Sequence, residues 1–206
     1  NNTFSGTNAF TAGTTMLIAN NNTVAGNNTF STGTGGITID NDNAFPDNNT
    51  FTAATGIQLN NGGNSFSTNP GTLTTMIKNG ATTNDWQGGN TFGDFTLVNN
   101  GTGRIRTANS LGGDAFNGDV TLDKNSTGAI EPAFNSVSTF AGDISTALSN
   151  TVLTFGLGTG TVEINGSTSQ NLLTDGTLIP VLRRVRMNGT GTLELSDPIS
   201  IPISLE

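Results

Sequence analysis

The chain has 206 residues, of which 33% are hydrophobic and 11% charged, and it carries a net charge of −8. Gly, Asn, Thr and Ser are abundant and no long stretch shows a 3.6-residue apolar period, which argues against a compact helical domain. The acidic balance argues against a nucleic-acid partner, because phosphate neutralisation needs clustered Lys and Arg. There is no Cys and no His, so disulfides, thiolate or imidazole metal sites and the commonest general base are all ruled out. No apolar run approaches the ~18 residues of a membrane-spanning helix, and no membrane insertion is expected. An acidic surface favours solubility and is compatible with calcium binding.

A phenylalanine-centred pattern returns along most of the chain. The first three copies start at Phe4, Val24 and Phe45, and a second apolar position recurs at Phe10, Phe30 and Phe51. Both series step by 20 and then 21 residues. A fixed period of this size predicts supersecondary units stacked on their neighbours, and it separates the chain from a disordered polar one. Each copy ends in a short alternating strand and an Asn-rich turn. Ile37-Thr38-Ile39 precedes Asp40-Asn41-Asp42-Asn43, and Ile57-Gln58-Leu59 precedes Asn60-Asn61-Gly62-Gly63. The alternation places one side of each strand inward. Asn, Asp and Gly supply the left-handed geometry of a corner.

A fourth, irregular copy starts at Ser65-Phe66 and includes Pro70 and the single tryptophan, Trp86. The pattern then resumes with a longer step: Phe92, Phe116 and Phe140 lie 24 apart, and Ile105 and Ile130 lie 25 apart. Short strands at this spacing, with no helical segment between them, predict an all-β fold, a parallel β-helix or β-solenoid. Phe would form an internal ladder and Asn would stack at the corners. Roughly nine coils at the inter-strand spacing of ~4.8 Å would give a rod of about 40 Å.

Residues 1–161 are read as solenoid repeats with an irregular coil near 66–91, and 162–206 as the same solenoid continued with larger coils. Pro202, inside the alternation Ile199 to Leu205, marks an edge or irregular strand there. The chain starts inside a repeat at Asn1-Asn2-Thr3-Phe4 and shows no signal peptide. It is therefore expected to be a segment of a longer protein, with Leu205-Glu206 compatible with a cloning remnant.

The runs NNTFSG, GNTFGDFTLVNNGTGRIRTAN and FNGDVTLDKNSTGAI resemble the repeats of the very large SprB-like surface adhesins of gliding Bacteroidetes. NGSTSQNLLTDGT followed by IPVLRRVRMNGTGTLELSDPISI resembles a module common in such proteins. Together these cover most of the chain. The resemblance implies export to the cell surface by the type IX secretion system and a role in adhesion or gliding motility. It carries over no catalytic residue and no cofactor, and the family's C-terminal sorting domain is not seen.

Asp94, Asp119 and Asp143 occupy equivalent places, 25 and 24 apart, and should form a column. Calcium ligation and a plain turn role are both open, and the turn role is favoured because the dense GGxGxD pattern is missing. Asp40, Asp42 and Asp47 surround one expected corner without a Lys or Arg beside them, which argues against a lyase or glycosidase pair. Arg183, Arg184 and Arg186 form the one basic cluster. Arg184 and Arg186 share a strand face opposite Val185 and Met187, where they would meet an anionic glycan or pair with acids on the next coil. Trp86 would be a sugar-stacking platform if exposed and a core filler if buried. Thr3, Thr29, Thr50 and Thr91 each precede a repeated Phe, so they should face outward in register. A flat array of them would bind ice, but the varying period argues against a lattice match.

These features predict a non-enzymatic, extracellular rod acting as a stalk or adhesive surface. Its partners would be polysaccharide or other surfaces and the neighbouring repeats of its parent. Possible ligand contacts are Trp86, Arg184 and Arg186. The alternative is a polysaccharide-active or polysaccharide-binding β-helix, a lyase or phage-tailspike segment, and an ice-binding solenoid stands below it.

Overall fold

The computed structural model describes residues 2–148, 154–155, 158–174, 181–195 and 204–205. Among them every regular element is a β-strand, and the strands stack in parallel from coil to coil as a β-solenoid. The calls at Ile179-Pro180 and at the Pro202 strand, apart from Ser204–Leu205, lie outside the described residues.

Each coil contributes up to three short strands, so the solenoid has three faces. The first face stacks Thr3–Phe4 on Thr23–Val24 and continues through a bridge at Ala44. It then runs through Ser65–Phe66, Thr91–Phe92, Ala115–Phe116, Val137–Phe140, Thr161–Ile164, Arg184–Met187 and Ser204–Leu205. The second face is one nine-stranded sheet. Its strands are Ala9–Ala12, Asn28–Thr32, Asn49–Ala53, Leu73–Lys78, Asp94–Asn99, Val120–Lys124, Ile144–Leu148, Gln170–Thr174 and Leu193–Leu195. The third face is broken into shorter sheets, beginning with Met16–Ile18, Ile37–Ile39 and Ile57–Leu59. Coil length varies from 20 residues (Phe10 to Phe30) to 28 (Thr146 to Thr174), but the strands stay in one-to-one register. The corners absorb the difference.

Alternation within each strand sends Phe, Ile, Leu and Val inward. Two aromatic ladders result. Phe10, Phe30 and Phe51 stack with ring centroids 4.9 and 4.6 Å apart on the second face. Phe45, Phe66, Phe92, Phe116 and Phe140 stack at 4.7–5.1 Å on the first. The ladders meet edge to face, as between Phe45 and Phe51 at 5.2 Å. Burial of each ring contributes about 1.5–3 kcal/mol, and each favourable ring pair about 0.5–1.5 kcal/mol more.

Corners are held by amide ladders. At the third-to-first corner Asn21, Asp42 and Asn61 take the left-handed conformation, with φ of 62°, 57° and 60°, a region Asn and Asp tolerate. The turn delivers the buried Asn22, Asn43 and Asn64. Asn2, Asn22, Asn43 and Asn64 each donate from Nδ2 to Oδ1 of the next rung at 3.0–3.3 Å, ending at Asn90. A second ladder, Asn8 to Asn28 to Asn49, turns the chain from the first face to the second. Its column becomes apolar at the fourth coil. Thr74 follows Asn49 in register and is followed by Phe95, Val120, Ile144 and Leu172. The Thr74 hydroxyl, fully buried at this changeover, has no hydrogen-bond partner.

Candidate functional site

In a three-faced solenoid with a filled interior, function falls to the outward columns and the corners. On the first face the outward column runs through Thr139, Glu163 and Arg186 in register. Val185 is buried and Met187 packs against the core, while Arg184 and Arg186 are half-buried on the outer side. Arg186 donates through Nε to Glu163 Oε2 at 2.9 Å and also through Nη2, and Asn188 donates to the other carboxylate oxygen at 2.8 Å. The Asn188 and Arg186 hydrogen bonds hold the Glu163 carboxyl below its ordinary value. Arg184 donates from Nη1 to the Gly158 carbonyl at 3.1 Å. The two side chains thus share a face as expected, and Arg186 pairs with an acid of the preceding coil.

Trp86 is 0% exposed. Its Nε1–H donates to the Ile57 carbonyl at 2.6 Å, and its ring meets Phe95 edge-on at 6.4 Å. It cannot offer a ring face to a ligand, and of the two sequence readings the core filler is the one seen.

The aspartate column forms as expected and its bonding accounts for it. Asp94 Oδ1 accepts from the Asp119 N–H at 3.0 Å, Asp119 Oδ1 from the Asp143 N–H at 2.9 Å, and Asp143 Oδ1 from the Asn171 N–H at 2.7 Å. Each carboxylate fastens the next coil. Among the described residues no group of three or more acids is placed to hold a metal ion.

The other acidic group is split, correcting the single expected corner. Asp40 accepts from Asn60, and Asp42 from Asn41, at the third-to-first corner. Asp47 lies at the first-to-second corner, where Oδ2 accepts the Gly26 N–H at 2.6 Å.

The threonine array also differs from expectation. Thr3 lies on the first face with Thr23, and Thr91 with Ser65 and Ala115, whereas Thr29 and Thr50 lie on the second. The continuous column is Thr29, Thr50, Thr75, Thr96, Thr121 and Ser145, all opposite one another on the second face. The varying period does not disturb it, because extra residues sit in corners and not in strands.

Three features were missed in the sequence. On the third face Arg106 lies between Asp85 and Glu131 of the adjacent coils, at 3.5 and 2.8 Å, with the Phe134 ring 4.1 Å from its guanidinium carbon. The 25-residue step from Arg106 to Glu131, matching that from Ile105 to Ile130, carried the signal. Lys78 and Lys124 are both fully buried at the second-to-third corner, with Asn99 between them in register. Lys78 Nζ donates to the Gly80 and Gly103 carbonyls, and burial pushes its pKa down to about 8. Finally, Asp114 follows Asn90 in the first corner ladder, with burial raising its pKa to about 6.

An uncharged groove of about 540 Å³, lined largely by Thr and Asn, opens on the second face over the first four coils. A larger apolar hollow of about 630 Å³ lies at the N-terminal end of the stack, where Phe4 and Leu17 are exposed. No protein-family model matches the chain, and neither does any curated protein or any solved structure.

Proposed function

We propose that this chain is a load-bearing, surface-presenting segment of an extracellular, cell-surface adhesin, of the kind its repeats resemble, serving attachment or gliding. The observation that carries the reading is the continuity of the ladders. Parallel backbone pairing joins each described coil to the next, and amide, aromatic and carboxylate ladders reinforce successive stretches of the stack, so tension along the chain is shared by several bonds at each rung. An outer surface that repeats at each coil suits many weak contacts to polysaccharide or another surface, which add through multivalency.

Labelling of intact producing cells with an antibody against this segment tests it, together with attachment of cells that lack the segment. Surface labelling and weakened attachment are expected. Labelling only after cell lysis, or undiminished attachment and gliding, would refute it.

A polysaccharide-cleaving reading draws on the Asp85, Arg106 and Glu131 column, where acids and an arginine converge across three coils. Arg106 bonds both carboxylates, however, and Glu131 is buried, which leaves no free acid beside a free base as hydrolysis requires. New reducing ends or shortened polymer after incubation with purified protein would favour this second reading.

A further inference from the structure

The groove on the second face is built by the irregular fourth coil. Coils two and three turn tightly from first to second face, through Gly26 and Asn27 and through Pro46 to Asn48. Coil four takes a longer path over residues 67–72, and Gly71 adopts φ +87° with open space around it. The Leu73 N–H then donates to Asn48 Oδ1 at 2.6 Å, which anchors the longer loop over the corner below. The result is a trough whose lining includes Asn27, Thr29, Asn48, Thr50, Leu73 and Thr75. It is lined by four successive coils, about 15 Å along the axis at the usual strand spacing, and is open to solvent along its length.

Its chemistry is selective. No charged side chain lines it, although the chain carries a net charge of −8. A polyanion finds no cation there and meets an acidic protein, and a polycation finds no carboxylate. The hydroxyls of Thr29, Thr50 and Thr75 are engaged by no other group of the described protein. Hydroxyls and amides both donate and accept, which matches the alternating donors and acceptors of sugar hydroxyls. Leu73, 40% exposed, offers an apolar surface to the C–H face of a pyranose ring.

We infer that this trough binds a neutral polysaccharide chain lying along the solenoid axis. The inference rests on the adhesin reading and names the ligand class for it. The hydroxyl column beyond the trough favours no ice lattice, since the second outward column passes from Thr52 to Ile77, Val98 and Asp123.

Affinity electrophoresis of the whole chain through gels containing a neutral β-glucan, a neutral mannan, alginate or polygalacturonate tests it. The Thr50→Val/Thr75→Val variant removes two hydroxyls at constant shape, and Thr38→Val on the third face is the control. The expected result is retardation by a neutral polymer that weakens at least tenfold in the double variant and is unchanged in the control. Equal retardation of the double variant, or retardation by the acidic polymers alone, would overturn the groove while leaving the adhesin reading intact. No retardation by any polymer overturns the groove, and so does faceting of ice crystals by a chain that binds no glycan. Surface labelling and cell attachment then judge the adhesin reading independently.

Discussion

Replacing Asp114 with asparagine should stabilise the protein at neutral pH, because a carboxylate sits where the fold has built a place for an amide. Asp114 Oδ1 accepts from the Asn90 backbone N–H at 3.0 Å and from Asn90 Nδ2 at 2.9 Å. Oδ2 is buried and makes no hydrogen bond of ordinary geometry, although the Ala108 backbone N–H acts on the carboxylate. Desolvation, outweighing the Asn90 bonds and the Ala108 backbone N–H, raises the pKa from 3.8 to about 6. Two units at ~1.36 kcal/mol each amount to a penalty of about 3 kcal/mol on the ionised folded state. For a carboxyl whose folded pKa is raised, the penalty is absent below the unfolded value, grows as pH rises from about 4 to about 6, and is complete above that. In Asp114→Asn the new Nδ2 can donate to the Leu111 carbonyl, as Asn22, Asn43 and Asn90 donate to the carbonyl three residues before them at 2.6–2.8 Å. Urea unfolding of both proteins between pH 4 and 7.5 reads the difference, with slopes compared to check that the transition is unchanged. A gain of about 2–3 kcal/mol at pH 7.5 that fades towards pH 4 is expected. A difference that is zero, or constant with pH, would refute the buried carboxylate.

Other substitutions probe the remaining contacts. Trp86→Ala empties the largest core side chain and orphans the Ile57 carbonyl, so thermal or urea unfolding should show a loss of about 3–5 kcal/mol. At Gly101 an added Cβ would lie 1.8 Å from the Gly80 carbonyl oxygen of the coil below. Gly101→Ala should therefore force the coils apart and speed amide exchange around residues 78–103, whereas unchanged exchange would contradict the stacking. Arg186→Ala leaves the well-buried Glu163 without its cation. Glu163's lowered pKa means its stabilisation is present above the ordinary carboxyl value and lost as pH falls. The variant should thus cost about 1 kcal/mol at pH 7 and little at pH 3 in the same unfolding assay.

The sequence announced its repeats wherever one column kept one residue type. Phe92, Phe116 and Phe140 read as equivalent and stack, and Asp94, Asp119 and Asp143 read as a column and bond as one. It misled where one local motif serves two places. Asn-Thr-Phe puts Asn into a corner ladder, Thr outward and Phe inward, and that geometry suits both corners. Asn90-Thr91-Phe92 therefore opens the first face, while Asn28-Thr29-Phe30 opens the second. Position relative to Phe alone could not assign a threonine to its face. Columns that change chemistry were hidden for a related reason. Thr74 ends an amide ladder, Asp114 continues one as an acid, and Lys78 and Lys124 reach from strand ends to cap carbonyls inside the corner. Composition marks such residues as polar and outward, and only the closed coil shows the interior carbonyls that receive them.

The load-bearing claim is tested most directly by pulling a single molecule from both ends. Coils of 20–28 residues released one at a time would each add about 70–95 Å of extended chain. A sawtooth of such steps from a rod that resists until each rung breaks is the expected record. Smooth extension at low force, or a single collapse of the whole molecule, would contradict it.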